Sequence, residues 1–185
     1  MIKRARQVEE TRRPIVDATV SLHGTVGPAH TTVSAIAESA GVTRVTVYRH
    51  FPDEDALFAA CTSHWAARQR MPDVAAWREI SAPEERTEVA LTDVYRFFRE
   101  GEPMLSLTSR DQEALPVFVR DRNHQTSQRQ VDALLHAWPP RQRSKRRRAL
   151  AGHAMSFSTW RSLCVDQGLA ARDAVEAMTR LVVDC

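Results

Sequence analysis

The sequence predicts an all-α fold: a small N-terminal three-helix, helix-turn-helix unit, followed by a larger helical body. Two observations predict the helical class. Apolar residues recur three and four apart through most of the 185 residues, and no run of alternating β-branched residues bounded by hairpin turns interrupts them. Glycines and prolines also stand where helices should stop, at Gly24, Gly27-Pro28, Gly41, Pro52, Pro139-Pro140 and Gly168.

Ile15, Ala18 and Leu22 share one helical face, so the first helix covers about residues 8–23. Thr31-Thr32 offers hydroxyls to open a second helix whose Val33, Ile36, Ala37 and Ala40 face inward. Gly41 breaks it, and Thr43 caps a short third helix running to His50. Pro52-Asp53 closes that helix and opens a fourth, with Asp53, Glu54 and Asp55 in its acid-favouring first turn. Beyond Met71-Pro72, residues 84–99 read as helix, with Val89, Val94, Phe97 and Phe98 as inner residues. Gly101-Glu102-Pro103 interrupts it before a short apolar segment at 104–107. One longer helix covers 115–138, another 144–167, and a last one 171–184.

Composition excludes several classes. Hydrophobic residues make up 43% and charged residues 26%, an ordinary globular balance. No apolar run approaches the roughly 20 residues that span a bilayer. The basic start (Lys3, Arg4, Arg6) is followed by polar residues rather than an apolar segment, so a cytoplasmic location is expected. Cys61, Cys164 and Cys185 are odd in number and far apart, forming neither a CxxC pair nor a disulfide framework. Catalytic signatures such as HExxH, a phosphate-binding Walker loop, GxSxG or a strand-borne GxGxxG are missing. No enzymatic activity, cofactor or metal is therefore expected. Net charge is +3. It is unevenly spread: residues 1–52 hold Lys3, Arg4, Arg6, Arg12, Arg13, Arg44 and Arg49 against Glu9, Glu10, Asp17 and Glu38.

The informative stretch is residues 31–57, TTVSAIAESAGVTRVTVYRHFPDEDAL. Physically it is a helix, a glycine turn and a second short helix. Val42, Val47 and Phe51 complete an apolar seam with Ile36, Ala37 and Ala40. The other face of the third helix carries Thr43, Arg44, Val45, Thr46, Tyr48 and His50, a mixture of hydrogen-bonding groups, a cation and a methyl-bearing side chain. A major groove admits one helix and reads such a mixture.

The Thr31-Thr32-Val33 start, Ile36-Ala37, the run from Ala40 to Thr43, the run from Thr46 to Phe51 and Ala56-Leu57 resemble the N-terminal signature of the tetracycline-repressor-like (TetR) family. The resemblance implies an all-helical dimer, with a DNA-binding head over residues 1–52 and a ligand-binding and dimerisation body over 53–185. It puts Arg44, Val45 and Thr46 at base edges, with Arg44 suited to a guanine and Val45 to a thymine methyl. It puts Thr31, Thr32, Thr43, Tyr48 and His50 at phosphates, although Tyr48 also fits half-buried packing and His50 a plain surface role. The expected partners are operator DNA, a second copy of the chain and a small-molecule effector of largely apolar character. The expected function is that of a repressor released by its effector from a palindromic operator. The rival reading is a helical sensor that has lost useful DNA affinity. The acids Asp53, Glu54 and Asp55 favour it, since family members often carry a neutral or basic group there.

The body is less specific. The last two helices resemble the family's dimer element, with Phe157, Trp160, Cys164, Val175, Met178 and Leu181 as candidates for the seam; intrachain packing is the alternative. Phe97, Phe98, Met104, Leu105, Phe118, Trp138, Met155, Phe157 and Trp160 fit either a pocket or ordinary core, with His124 and His153 as candidate polar anchors. The run Arg141, Arg143, Lys145, Arg146, Arg147 and Arg148 reads either as a second nucleic-acid site or as a solvated helix entrance.

Overall fold

A computed structural model describes the backbone of residues 2–185 and the side chains from Glu9 onward. Lys3, Arg4 and Arg6 of the basic arm therefore lie outside the described side chains. The described residues contain helices and turns and no strand. They form two compact units, one comprising residues up to Arg70 together with Glu102–Arg120, the other Met71–Gly101 with Asp121–Cys185.

In the first unit, α1 (Ile2–His23) packs on α2 (Val33–Ser39) and α4 (Glu54–Ala66), and α2 packs on α3 (Arg44–His50). The seam contains Ile15, Val16, Ala18, Ile36, Ala37, Val47, Phe51 and Leu57, all buried, with Ala40 and Val42 partly buried against them. Each short helix starts on a side-chain cap. Thr32 Oγ1 accepts from Ala35 N at 3.1 Å, Thr43 Oγ1 from Thr46 N at 3.2 Å, and Asp53 Oδ1 from Ala56 N at 2.7 Å. A seven-residue helix such as α3 is too short to be stable alone, so the caps and the Val47–Phe51 anchors hold it. Gly41 adopts φ 66 at the turn between α2 and α3, the left-handed region open to glycine. The unit is completed by α7 (Glu102–Arg110), a full helix where the sequence suggested only a short apolar segment. Pro103 sits in its first turn, where a missing N–H costs nothing.

The second unit is built on α6 (Pro83–Glu100), α9 (Lys145–Ala154) and α11 (Ala171–Val183), with α11 lying against both others. The stripe of α6 that is buried contains Arg86, Thr87, Ala90, Leu91, Val94 and Tyr95. Val89, expected inside, is 39% exposed; it stands two positions from both Thr87 and Leu91, and a step of two turns a helix by about 200°. A short helix unforeseen in the sequence, α5 (Val74–Glu79), is capped by Asp73 and buries Trp77, whose Nε1 donates to Asp93 at 3.1 Å. The helix expected over 115–138 is α8 (Val117–Leu135). Its residues 121–129 are all exposed, so His124 is no buried pocket anchor.

The helix expected over 144–167 is broken. After α9 comes α10 (Phe157–Trp160), then a wide π turn at Arg161–Asp166. Ser156 causes the break, since its Oγ donates to His153 O at 2.9 Å and accepts from Thr159 N at 3.2 Å. One serine thus ends one helix and caps the next, competing with the helical backbone bonds. The aromatic residues form a stacked cluster, with Phe98 at 5.4 Å from Phe157 and 6.0 Å from Trp160. Trp138, Met155 and Trp160 are buried. Core packing accounts for these side chains.

Much of the basic run has structural work. Arg147, 7% exposed, donates to Gln142 O at 2.6 Å, Val182 O at 3.1 Å, Val183 O at 3.2 Å and Cys185 O. It therefore satisfies carbonyls that the end of α11 leaves without helical partners. Arg143 does the same for α8 through Trp138 O at 2.7 Å and His136 O at 3.1 Å. Arg86 donates to Ile80 O, Arg78 O and Ala133 O. Arg148 pairs with Asp132 at 2.6 Å, while Arg141, Lys145 and Arg146 are exposed.

Candidate nucleic-acid interface

The third helix presents one face to its own core and another to solvent. Val47 is 2% exposed, whereas Val45 is 77% and Tyr48 47% exposed. Arg44 and Arg49 are also exposed, and the helix carries no acidic residue. The result is a short rod with a protruding methyl-bearing side chain flanked by two cations and a phenol. Arg49 and His50 lie in the last turn, where cations oppose the negative end of the helix.

The hydroxyls divide into committed and available donors. Thr43 and Thr46 Oγ1 lie 3.0 Å apart, and Thr43 already accepts from Thr46 N. Each hydroxyl has one proton, so whichever donates to the other, the second proton stays free for an outside acceptor. Thr32, exposed, accepts from Ala35 N and keeps its own proton available. Thr31 differs: it is half-buried and donates to Gly27 O at 2.8 Å. In this conformation it cannot also donate to a phosphate. His50 is half-buried at the C-terminal end of α3.

The acidic corner has a structural account in part. Asp53 is the cap of α4 through Ala56 N, while Glu54 and Asp55 are exposed in its first turn. Arg12 lies over the Phe51 ring at 4.7 Å, and Arg13 approaches Asp17 at 3.7 Å. Asp17 also meets His64 at 2.7 Å and Arg68 at 3.2 Å, tying α1 to α4. Deeper in the same packing, His23 Nδ1 lies 3.4 Å from Cys61 Sγ and its ring 4.8 Å from Phe58. Burial pushes the His23 pKa down to about 4 and the Cys61 thiol up to about 12.

A further set of residues reaches the loop before α2. Asp111 Oδ2 accepts from Ala29 N at 3.0 Å, and Arg110 donates to both Asp111 oxygens at 2.7 and 2.9 Å and to Val26 O at 2.8 Å. The Arg110 bonds are the main cause of an Asp111 pKa near 2, with burial opposing and the Ala29 N–H adding. Gly27 adopts φ 94 there, and a Cβ on it would collide with the Asp111 carboxylate and the Arg110 guanidinium. Sequence reasoning missed this set; an Arg-Asp pair at the end of a helix gives no signal of a partner 82 residues away.

The sequence profile described as "Bacterial regulatory proteins, tetR family" matches residues 15–61, from the buried half of α1 to the middle of α4. Over that segment the chain is similar to the TetR family. The chain is 39% identical over 57 residues to the HTH-type transcriptional regulator AcrR of Shigella flexneri, covering 31% of this chain and 26% of that protein. An uncharacterized HTH-type transcriptional regulator of Mycobacterium tuberculosis is 30% identical over 97 residues, 52% of this chain and 48% of that one. The matches thus span about a quarter to a half of those relatives' length. A solved TetR-family transcriptional regulator from Streptomyces coelicolor shares the fold, with a TM-score of 0.62 and 20% identity over 95% of this chain and 78% of that chain. As in that family, a helix-turn-helix is followed by a C-terminal helical part. Among the described residues no helix is long and apolar enough to cross a membrane.

Of the candidates for a TetR-type dimer seam, Trp160 and Val175 are buried within the second unit. Phe157, Cys164 and Met178 are partly buried against the same core, and Leu181 is half-buried. The outward surface of α11 carries Arg172, Asp173, Glu176, Ala177 and Arg180 instead. A groove of about 650 Å³ between α6 and α11 is lined largely by charged side chains, among them Glu84, Glu88, Arg99 and Arg172.

Proposed function

We propose that the chain is a sequence-specific DNA-binding transcriptional regulator without enzymatic activity. It works in the cytoplasm as a homodimer that represses from a palindromic operator and is released by a small-molecule effector. The observation that carries the reading is the face of α3: Val45 77% exposed, flanked by exposed Arg44 and Arg49, on a helix held from behind by Val47 and Phe51. A major groove pairs Arg44 with guanine O6 and N7 and seats Val45 on a thymine methyl. Thr46 contributes a hydroxyl at the same edge, while Thr32, Thr43, Tyr48 and His50 approach phosphates and fix register. Thr31 joins them only if its hydroxyl leaves Gly27. Two copies are needed because a two-fold protein reads a two-fold site; the half-buried edges of Phe157, Cys164, Met178 and Leu181 are the proposed seam. The effector acts by binding one arrangement of the dimer better than the other, and weakens operator binding by no more than that preference.

Selection of operators from random duplex DNA with the purified chain, followed by anisotropy titration at several salt concentrations, tests this. A palindrome bound about 10³-fold or more tighter than random DNA, with a steep salt slope, is the expected result. No enrichment would overturn the reading in favour of a sensor without DNA affinity.

A further inference from the structure

We infer that Asp111, held by Arg110, is a positioning residue for the DNA-binding face, setting the backbone of residues 27–32 that carries Thr32 and the start of α2. The inference rests on the DNA-binding reading above. Its ground is a continuous set of contacts within the first unit. Arg110 grips both oxygens of Asp111 and the carbonyl of Val26, and Asp111 takes the N–H of Ala29. Ala29 lies in the 3-10 turn Pro28–His30, a turn that follows a glycine in a conformation closed to other residues. Gly27 O in turn receives the Thr31 hydroxyl, and Thr32 caps α2.

Within itself the loop has the turn contacts His30 N to Gly27 O and Thr31 N to Pro28 O, both 3.2 Å, and the Thr31 hydroxyl on Gly27 O; Gly27 N to Leu22 O ties its start to α1. The Asp111 carboxylate adds a tie to a segment far along the chain. Bidentate carboxylate–guanidinium pairing is strong and directional. Asp111 is 8% exposed, so its charge is neutralised by Arg110 rather than offered to solvent or repelling phosphates. A segment far along the chain therefore sets where the second helix begins, and with it the phosphate donors at its entrance.

The test uses the full chain and the operator selected with the unaltered protein. Asp111→Asn removes the charge and the bidentate pairing; Arg110→Lys keeps the charge and loses the fork. Both should melt within about 4 °C of the unaltered protein. In the free variants, amide exchange at Ala29 should speed up by about tenfold or more, and operator affinity should weaken by about tenfold. Thr32→Ala should weaken the unaltered protein more than it weakens Asp111→Asn, because a misplaced Thr32 has less to lose; a purely structural role gives additive effects. Unchanged affinity in Asp111→Asn, or a loss accounted for by the unfolded fraction or additive with Thr32→Ala, overturns the inference alone. Failure of the unaltered protein to select any operator overturns the DNA-binding reading, and the inference with it.

Discussion

Replacing Arg147 by methionine should lower the stability of the second unit by about 3 kcal/mol, an estimate that weighs two opposed terms. Arg147 donates to the carbonyls of Gln142, Val182, Val183 and Cys185 and lies 5.3 Å from the Trp138 ring. A hydrogen bond to a charged group contributes about 1.5–3 kcal/mol, and each carbonyl left bare and buried costs about 1–3 kcal/mol. Against this, removing the cation relieves a desolvation cost of several kcal/mol. The carbonyls win because several converge on one guanidinium at the negative end of α11, where a cation is further favoured. Methionine keeps most of the apolar contact with Trp138. With about 2–4 °C per kcal/mol for a chain of this length, the midpoint should fall by about 6–12 °C. Tryptophan emission is a suitable assay, since Trp77, Trp138 and Trp160 are all buried in this unit. Arg146→Met, one residue away but exposed, should change stability by less than about 0.5 kcal/mol. A shift below about 2 °C for Arg147→Met, or a rise, refutes the capping argument and shows that burying the cation costs more than its bonds return.

Three other outcomes are expected. Arg44→Ala should reduce discrimination at one operator base pair by about 1–3 kcal/mol, read by competition between operators that differ at single positions, while binding to random DNA falls much less. His23 sets a pH dependence: its pKa falls from an ordinary 6.5 to about 4 on folding, so the neutral ring is the one the fold accepts. The associated stability is complete above pH 6.5 and is lost as pH falls towards 4, by up to about 3 kcal/mol; urea titrations should show this slope flattened in His23→Gln, and equal slopes would refute it. At the acidic corner, Asp53→Ala should cost about 1 kcal/mol through the lost cap, whereas Glu54→Lys should keep the cap, lose only the favourable dipole contact and tighten binding to random DNA at low salt, as measured by anisotropy.

The helix-turn-helix was legible because its requirements are local. Thr32, Thr43 and Asp53 cap the helices that follow them, Gly41 takes a positive φ, and Ile36, Val47 and Phe51 fall inside, all from neighbours within a few residues. The exposed face of α3 follows from the same periodicity. What the chain order hid depends on partners brought together by folding. Two arginines that look solvated, Arg86 and Arg147, bond carbonyls 47 and 35 positions away. Ser156 ends a helix that hydrophobic spacing would continue, because its hydroxyl competes for the backbone. Asp111 meets Ala29 across 82 positions. Periodicity reports which face of a helix is apolar, but a polar side chain is buried or exposed according to whether tertiary packing supplies its hydrogen-bond partners, and no local pattern encodes that.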